Sequence, residues 1–468
     1  MNRKQLLALG VPADCVPAAI AAVQQSAMDR TKINPKKLIP QLIAAPDVYL
    51  AHSHYAELAQ AVIAEKEAEA VRPTDPIPHA QFGSDFDAAS IQQIENACRL
   101  PIATAAALMP DAHCGYGLPI GGVLACDNAV VPYGVGVDIA CRMKLTITDL
   151  PVETLQQNDV KVCRELDEAL AKGTRFGMGA KWKRPHDHPV LEEDWTITAV
   201  TREMKDRARQ QLGTSGSGNH FVEWGIVTLP QDELGLDSGT YVALLSHSGS
   251  RGPGARVCQR YTDIARQRAP SRIRDDKQLR HLCWLDMDSE AGQEYWSAMN
   301  LMGRFASANH EIIHNNVTRL AGATAIATVE NHHNFAWRES HGGKDVYVHR
   351  KGATPAGVGD LGVIPGTMAD SAFIVRGKGN AESLNSASHG AGRRMSRTAA
   401  KKEFHWKQWT NHLAERNVRL LAGGLDEVPG AYKDIHEVMA AQTDLVEPIG
   451  EFMPRIVMMC GDGSRPED

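Results

Sequence analysis

The chain has 468 residues, 43% of them hydrophobic and 23% charged, with a formal net charge of −6. That balance sustains a large core and excludes both a disordered polymer and a generally basic coat for nucleic acid, while leaving room for a local basic groove. Nine cysteines, an odd number without dense spacing, exclude a secreted disulfide framework and imply a reducing, cytoplasmic setting. The opening run MNRKQLLALGVPADC is interrupted by Gly10, Pro12 and Asp14, so it reads as no secretory signal. No uninterrupted apolar stretch of about 18 residues follows, and no membrane association is expected.

In chain order, residues 1–80 read as a helical N-terminal extension. Helix formers gather at Val16–Met28 and Ala56–Ala70, punctuated by Pro35, Pro40 and Pro46. The run RPTDPIP, Arg72–Pro78, reads as a linker because its prolines deny helix continuation. Residues 81–468 read as one catalytic domain of mixed α/β class. Short apolar runs at Val123–Cys126, Val135–Ile139, Val222–Ile226, Tyr241–Leu245, Val346–Val348 and Phe373–Val375 read as strands between glycine turns. Longer segments at Leu155–Ala171, Arg251–Arg268 and Glu290–Arg319 read as helices. The tail GDGSRPED reads as frayed.

Six runs set metal-ligand residues among small neighbours: VGVDIAC, GSGNHFVEW, SHSGSRG, ENHHN, IPGTM and SASHGAG. Asp138 and Cys141 stand three positions apart, a spacing that lets a hard carboxylate oxygen and a bridging-capable thiolate reach one centre from a tight turn. His220 follows Gly216 and Gly218, and His247 closes the apolar run YVALLSH. His332 and His333 are adjacent; in extended chain they point to opposite faces, so one of the two reaches a shared centre. A thiolate, imidazoles and a carboxylate suit zinc, manganese, cobalt or iron alike.

His389 lies between Ser386–Ser388 and Gly390–Gly392, where small neighbours admit a bulky group to the imidazole. A histidine can take a phosphoryl or nucleotidyl group covalently, which makes His389 the candidate nucleophile. The turn IPGTM with Thr367 and Ser371, and the cations Arg251, Arg350, Lys351, Arg376, Arg393, Arg394 and Arg397, are candidate phosphate-binding parts.

Taken together, MPDAHCGYG, VGVDIAC, GTSGSGNHFVE, HSGSRG, HHN, RKGA, IPGTM, FIVRG, SHGAGRRMSR, AYKDI and VMAAQTDLVE resemble the RtcB family of RNA ligases over about Leu108–Cys460. The resemblance implies that family's α/β fold with a central metal and nucleotide cleft. It implies joining of an RNA 3′-phosphate or 2′,3′-cyclic phosphate end to a 5′-hydroxyl end, with GTP and Mn2+, two ions sharing the thiolate. On that resemblance Asp138, Cys141, His220, His247 and His333 fall on the metal ligands and His389 on the histidine that becomes guanylylated. Asn219, Phe221, Glu223, Asn334, Pro365, Gly366, Thr367, Met368, Gly390, Ala391, Gly392 and Tyr432 fall on the nucleotide site, and Arg251, Arg350 and Lys351 on RNA contacts.

The chain departs from the family pattern at Thr367, Ala369 and Ala372, with Ser371 one place early. It departs again at Pro355, and at Cys460, which stands where the family has a lysine. These positions bear on base recognition and substrate range. Two rival readings follow. One is a descendant of the family that binds metal and nucleotide without ligating. The other is a zinc protease, since His310, Glu311 and His314 spell H-E-x-x-H on a helical stretch.

Overall fold

The structure is a computed structural model, and it describes residues 1–156 and 160–461. The expected frayed tail from Asp462 onward lies outside the described residues. The chain divides into two compact units, Met1–Pro73 with Ala269–Asp276, and Thr74–Arg268 with Lys277–Asp468. The first unit holds the helices Arg3–Ala8, Val16–Met28, Pro35–Ala44 and Ala56–Ala70. They pack around Leu6, Val16, Ile39, Leu42, Tyr55, Leu58 and Val62, a small apolar core of their own. This unit also takes in residues 269–276, which the sequence had assigned to the catalytic domain. Among the described residues no helix is long and apolar enough to cross a membrane.

The second unit is mixed α/β. Its larger sheet runs Leu361–Ile364, Ala372–Gly377, Val446–Met459, Phe221–Leu229, Gly239–Ser248, Arg142–Thr148, Ala325–His332, and Arg419–Ala422 pairs with Val446–Met459 at the side. The two outermost strands of that path meet through a side chain: Asn331 accepts the Val363 N–H at 2.8 Å and donates to Thr354 Oγ1 at 2.8 Å. A second sheet orders Ala80–Gln81, Ala103–Tyr116, Leu118–Cys126, Lys344–Lys351 and Asn334–His341. The helix Glu290–Ala321 buries a long face that includes Tyr295, Met299, Met302, Phe305, Asn309, His310, Ile313 and Val317. Ser289 caps its start, and the left-handed Gly322 ends it.

One expected strand is absent. Val135–Ile139 is not extended: a helical turn covers Pro132–Val135, and Gly136 then takes φ +100°. The chain bends because Ala140, at φ +57°, donates its N–H to Asn334 O at 2.7 Å, which turns Asp138 and Cys141 inward. Apolar residues there fill the core from a loop, a case that composition alone does not separate from a strand.

Candidate metal and nucleotidyl-transfer site

Neighbouring strands and the loops at their ends deliver the candidate ligands. Cys141 immediately precedes the strand Arg142–Thr148, whose register sets Met143 opposite His247 and Arg142 opposite His332. His220 immediately precedes Phe221–Leu229, and Phe221 is registered opposite His247. Antiparallel pairing therefore brings residues more than 100 positions apart to one sheet end. Cys141 Sγ lies 3.4 Å from His220 Nε2 and 3.1 Å from His247 Nε2. His247 Nε2 lies 3.2 Å from His333 Nε2, and Asp138 Oδ2 lies 3.2 Å from His220 Nε2. Two donor triads result, Asp138–Cys141–His220 and Cys141–His247–His333, with the thiol common to both.

The proton inventory explains why such a cluster suits cations. His220 donates Nδ1–H to Ser215 O at 2.8 Å, and His247 donates Nδ1–H to Asn219 O at 3.2 Å. Each bond to a carbonyl fixes the tautomer and turns an Nε2 lone pair toward the sulfur. Asp138 Oδ2 is buried and accepts no hydrogen bond. Lone pairs facing lone pairs at these distances repel unless positive charge sits between them. Burial, together with neighbouring imidazoles, pushes the pKa of His247 and of His333 well below the usual value, so both stay neutral, the form that ligates. The five residues therefore fit a divalent metal pair.

Backbone and helix support this arrangement. Gly216, at φ +106°, lies so close to the site that a Cβ there would sit 2.5 Å from His220 Nδ1. Gly249 is equally constrained, since a Cβ would fall 2.1 Å from Asp138 Oδ2. Asn309, fully buried, accepts the N–H of Gly213 (2.7 Å) and of Thr214 (3.1 Å) and donates to Thr214 O (2.9 Å) and Ser248 Oγ (3.2 Å). One amide thus ties the helix to both ligand loops. The sequence reading missed Asn309 because its signal lies only in tertiary contact.

His389 stands next to this cluster, its ring centroid 4.9 Å from that of His333. It donates Nδ1–H to Asp111 Oδ2 at 2.6 Å, and the N–H groups of His389 and Gly390 donate to the same oxygen at 3.1 and 3.3 Å. Burial disfavours the Asp111 carboxylate, yet its pairing with His389 prevails and keeps its pKa low. In the neutral imidazole, Asp111 holds the proton on Nδ1 and leaves Nε2 as the bare, nucleophilic nitrogen. Sequence alone assigns Asp111 no role, and its one signal there is an acid in the glycine-rich run MPDAHCGYG.

The expected nucleotide residues divide into two groups. Gly390 packs on Pro365, so the IPGTM turn and the SHGAG run do meet. Asn219 is half-buried with its Oδ1 unpartnered, and the Phe221 ring lies 5.7 Å from that of His247. Burial raises the Glu223 pKa well above the usual value. A cleft of about 380 Å3 extends from Gly218 past Trp406, Asp426 and Glu427 to Cys460, so the Cys460 departure borders open space. Tyr432 donates to Glu427 and lies under the Arg393 guanidinium, 4.9 Å from ring centroid to Cζ.

Other members of the set are committed to the fold. Asn334 donates to Asp138 O at 3.2 Å and accepts the Gly352 N–H at 2.8 Å, so its amide braces the ligand loop. Gly366 closes a turn on Ser371 O, and Thr367 donates to Asp370 at 2.5 Å. Met368 packs with Leu413, Val418 and Val457. Ala391 is core, and Gly392 backs onto Asp111.

The three expected RNA cations are interior. Arg350 is 1% exposed and bound to Glu339, Ser386 and Leu384 O; Arg251, 2% exposed, donates to Thr214 Oγ1 and Gly177 O. Lys351, 8% exposed, donates to Tyr116 O at 2.5 Å. A charged residue usually points to water, and here ion pairs and carbonyls overrule that default.

Of the adjacent histidines, His333 joins the donors, whereas His332 turns away to Phe335 and Trp337. The protease motif offers no pair of free imidazoles, since only His310 keeps a ring nitrogen, Nε2, without a partner. His314 spends both ring nitrogens, on Thr146 Oγ1 and Ser246 Oγ, each at 2.7 Å. His310 bonds Ser246 Oγ at 2.7 Å, and Glu311 points outward to His188.

Comparison with known proteins agrees with this geometry. A family model described as tRNA-splicing ligase RtcB matches residues 93–460. An RNA-splicing ligase RtcB of Escherichia coli K12 is 36% identical over 397 residues, covering 80% of this chain and 95% of that protein. A tRNA-splicing ligase RtcB of Thermococcus kodakarensis is 34% identical, with 75% of this chain and 86% of the relative covered. An RNA-splicing ligase RtcB of Mycobacterium tuberculosis is 33% identical, at 77% and 98%. With a match spanning most of the second unit and its ligand loops, the chain belongs to the RtcB family of RNA ligases.

Proposed function

We propose that this protein is a GTP- and Mn2+-dependent RNA ligase that joins 3′-phosphate or 2′,3′-cyclic phosphate ends to 5′-hydroxyl ends, in RNA repair or tRNA splicing. The observation that carries the reading is the pairing of His389 with the buried Asp111 beside two donor triads that share Cys141. Manganese bound there would neutralise phosphate charge and polarise phosphoryl oxygens. Asp138, Cys141, His220, His247 and His333 would hold it.

The chain's own groups then have defined tasks. Asp111 keeps the proton on Nδ1 of His389, so Nε2 attacks the α-phosphorus of GTP; a P–N bond forms and pyrophosphate leaves. The 3′-phosphate of the RNA next displaces the histidine, taking the guanylyl group. The 5′-hydroxyl attacks that activated phosphate, and GMP departs with the bond electrons. A cyclic phosphate must first be opened by water. Asn219, Phe221, Glu223, Pro365 and Gly390 would surround the nucleotide, with the cleft bordered by Cys460 set aside for the base. A cytoplasmic setting fits the eight described cysteines, none of which forms a disulfide.

The test is incubation with Mn2+ and α-labelled GTP, and in parallel ATP. Acid-labile label from GTP is expected on the wild type and absent from His389→Ala. Metal binding without any label would favour the non-ligating descendant.

A further inference from the structure

If the protein handles broken RNA, phosphodiester charge must be met near the metal centre, yet Arg251, Arg350 and Lys351 are buried. Exposed cations occur on an adjoining loop. Between Gly173 and Arg184 the chain carries Arg175, Lys181, Lys183 and Arg184 and no acid, and all four are exposed. Lys181, Lys183 and Arg184 have no carboxylate partner among the described residues. Arg319, exposed near the end of the long helix, lies close enough to influence His186 and adds a fifth positive charge. Nearby acids are already engaged, Asp187 by Arg209 and Glu311 by His188.

This loop is anchored to the segment that carries His220. Ser215 donates its N–H to Arg175 O at 2.9 Å, and Gly177 donates to Gly216 O at 2.7 Å. Trp182 donates its backbone N–H to Gln210 O at 2.9 Å and its indole N–H to Gly213 O at 3.1 Å. The Arg175 guanidinium lies over the indole, 4.4 Å from its centroid, and His186 meets the same ring edge-on at 4.9 Å. Since Ser215 O also accepts the His220 Nδ1–H, backbone hydrogen bonds run unbroken from the basic loop to a metal ligand. A merely solvated run of lysines has no such anchorage.

We propose that Arg175, Lys181, Lys183 and Arg184 form a track that holds the backbone of an RNA strand as it approaches the metal centre. The proposal rests on the RNA-ligase reading above and adds where the strand runs. Fixed cations of one sign, held on an aromatic scaffold beside a phosphate-handling centre, are what a single strand needs. An acidic protein is the other polyanion such a surface could meet.

The test uses the full chain and a fluorescent single-stranded RNA ending in a 3′-phosphate. Anisotropy is measured across a KCl series for the wild type and for the triple variant Lys181→Ala, Lys183→Ala, Arg184→Ala. Losing three phosphate contacts at about 0.7 counterions each should lower the slope of log affinity against log salt by about 2, with about fiftyfold weaker binding at 0.15 M relative to 1 M salt. The KM for RNA should rise while label transfer from α-labelled GTP to the protein persists, and Lys181→Arg with Lys183→Arg should restore binding. Unchanged affinity and slope would overturn the track while leaving the ligase reading intact. Absence of guanylyl label in the wild type would remove the ligase reading, even where the salt dependence still located RNA on this loop. Loss of binding to a polyglutamate peptide, with RNA binding unchanged, would assign the surface to a protein and also overturn the proposal.

Discussion

Replacing Asp111 by Asn isolates one charge at the proposed nucleophile. In the structure a single oxygen, Asp111 Oδ2, accepts the His389 Nδ1–H at 2.6 Å and two backbone N–H groups at 3.1 and 3.3 Å. An asparagine oxygen in that place can accept all three, so the imidazole keeps its tautomer and orientation. What disappears is the negative charge that stabilises positive charge growing on the ring as Nε2 bonds to phosphorus. A hydrogen bond to a charged group is worth about 1.5–3 kcal/mol, roughly ten- to hundredfold in rate. Asp111→Ala should lose more, because nothing then selects the Nδ1–H tautomer. The assay is single-turnover label transfer from α-labelled GTP at saturating Mn2+, with manganese affinity measured in parallel to show that the donors are intact. Asp111 Oδ1 is buried without a partner, so the Asn amide N–H groups find no acceptor there, and the thermal melt of the variant is read beside its rate. An Asp111→Asn rate within twofold of wild type would refute the argument that Asp111 activates His389.

Three further outcomes follow from the geometry. Asn309→Asp puts an acceptor where Nδ2 now donates to Thr214 O and Ser248 Oγ; manganese affinity by calorimetry should fall about ten- to hundredfold, the usual cost of disturbing groups that orient ligands. Burial lowers the Lys351 pKa to about 8 from an unfolded value of 10.5, so its charge penalises the fold below pH 8, and the penalty fades as pH rises toward 10.5. Lys351→Met should therefore raise the melting temperature at pH 7, and the gain should shrink between pH 8 and 10; a pH-independent gain would contradict burial of a charge. For Glu223 the sign is reversed, since burial raises its pKa well above 4.5, and stability is lost as pH climbs through that range. Glu223→Gln should match the wild type in thermal melts near pH 4 and exceed it at pH 8.

Helices rich in helix formers are legible in the chain itself: Val16–Met28, Ala56–Ala70 and Arg251–Arg268 have the bounds that composition and prolines imply. Val135–Ile139 was not, because its bend is imposed by a hydrogen bond to Asn334, almost 200 residues away. The metal donors were visible as ligand-type residues in glycine turns, but their convergence depends on register between strands such as Arg142–Thr148 and Gly239–Ser248. Local pattern carries no register information across such separations. The burial of Arg251 and Arg350 is illegible for the opposite reason. Their neighbours in sequence resemble a phosphate-binding turn, whereas Thr214, Glu339 and Ser386, which hold them inside, come from elsewhere. Asn309 is illegible because it does not differ locally from an ordinary helix residue, whereas Asp111, in the strand Ala103–Tyr116, is marked only by being an acid in a glycine-rich run.

The account turns on Cys141 serving two cations at once, beside His389. Diffraction at the manganese absorption edge, from crystals grown with Mn2+ and GTP, reads this directly. Two anomalous peaks should appear, each bonded to the Cys141 sulfur, one also to Asp138 and His220 and the other to His247 and His333, with density continuous from His389 Nε2 to phosphorus. Peaks that leave Cys141 uncoordinated, or a nucleotide bound far from His389, would contradict it.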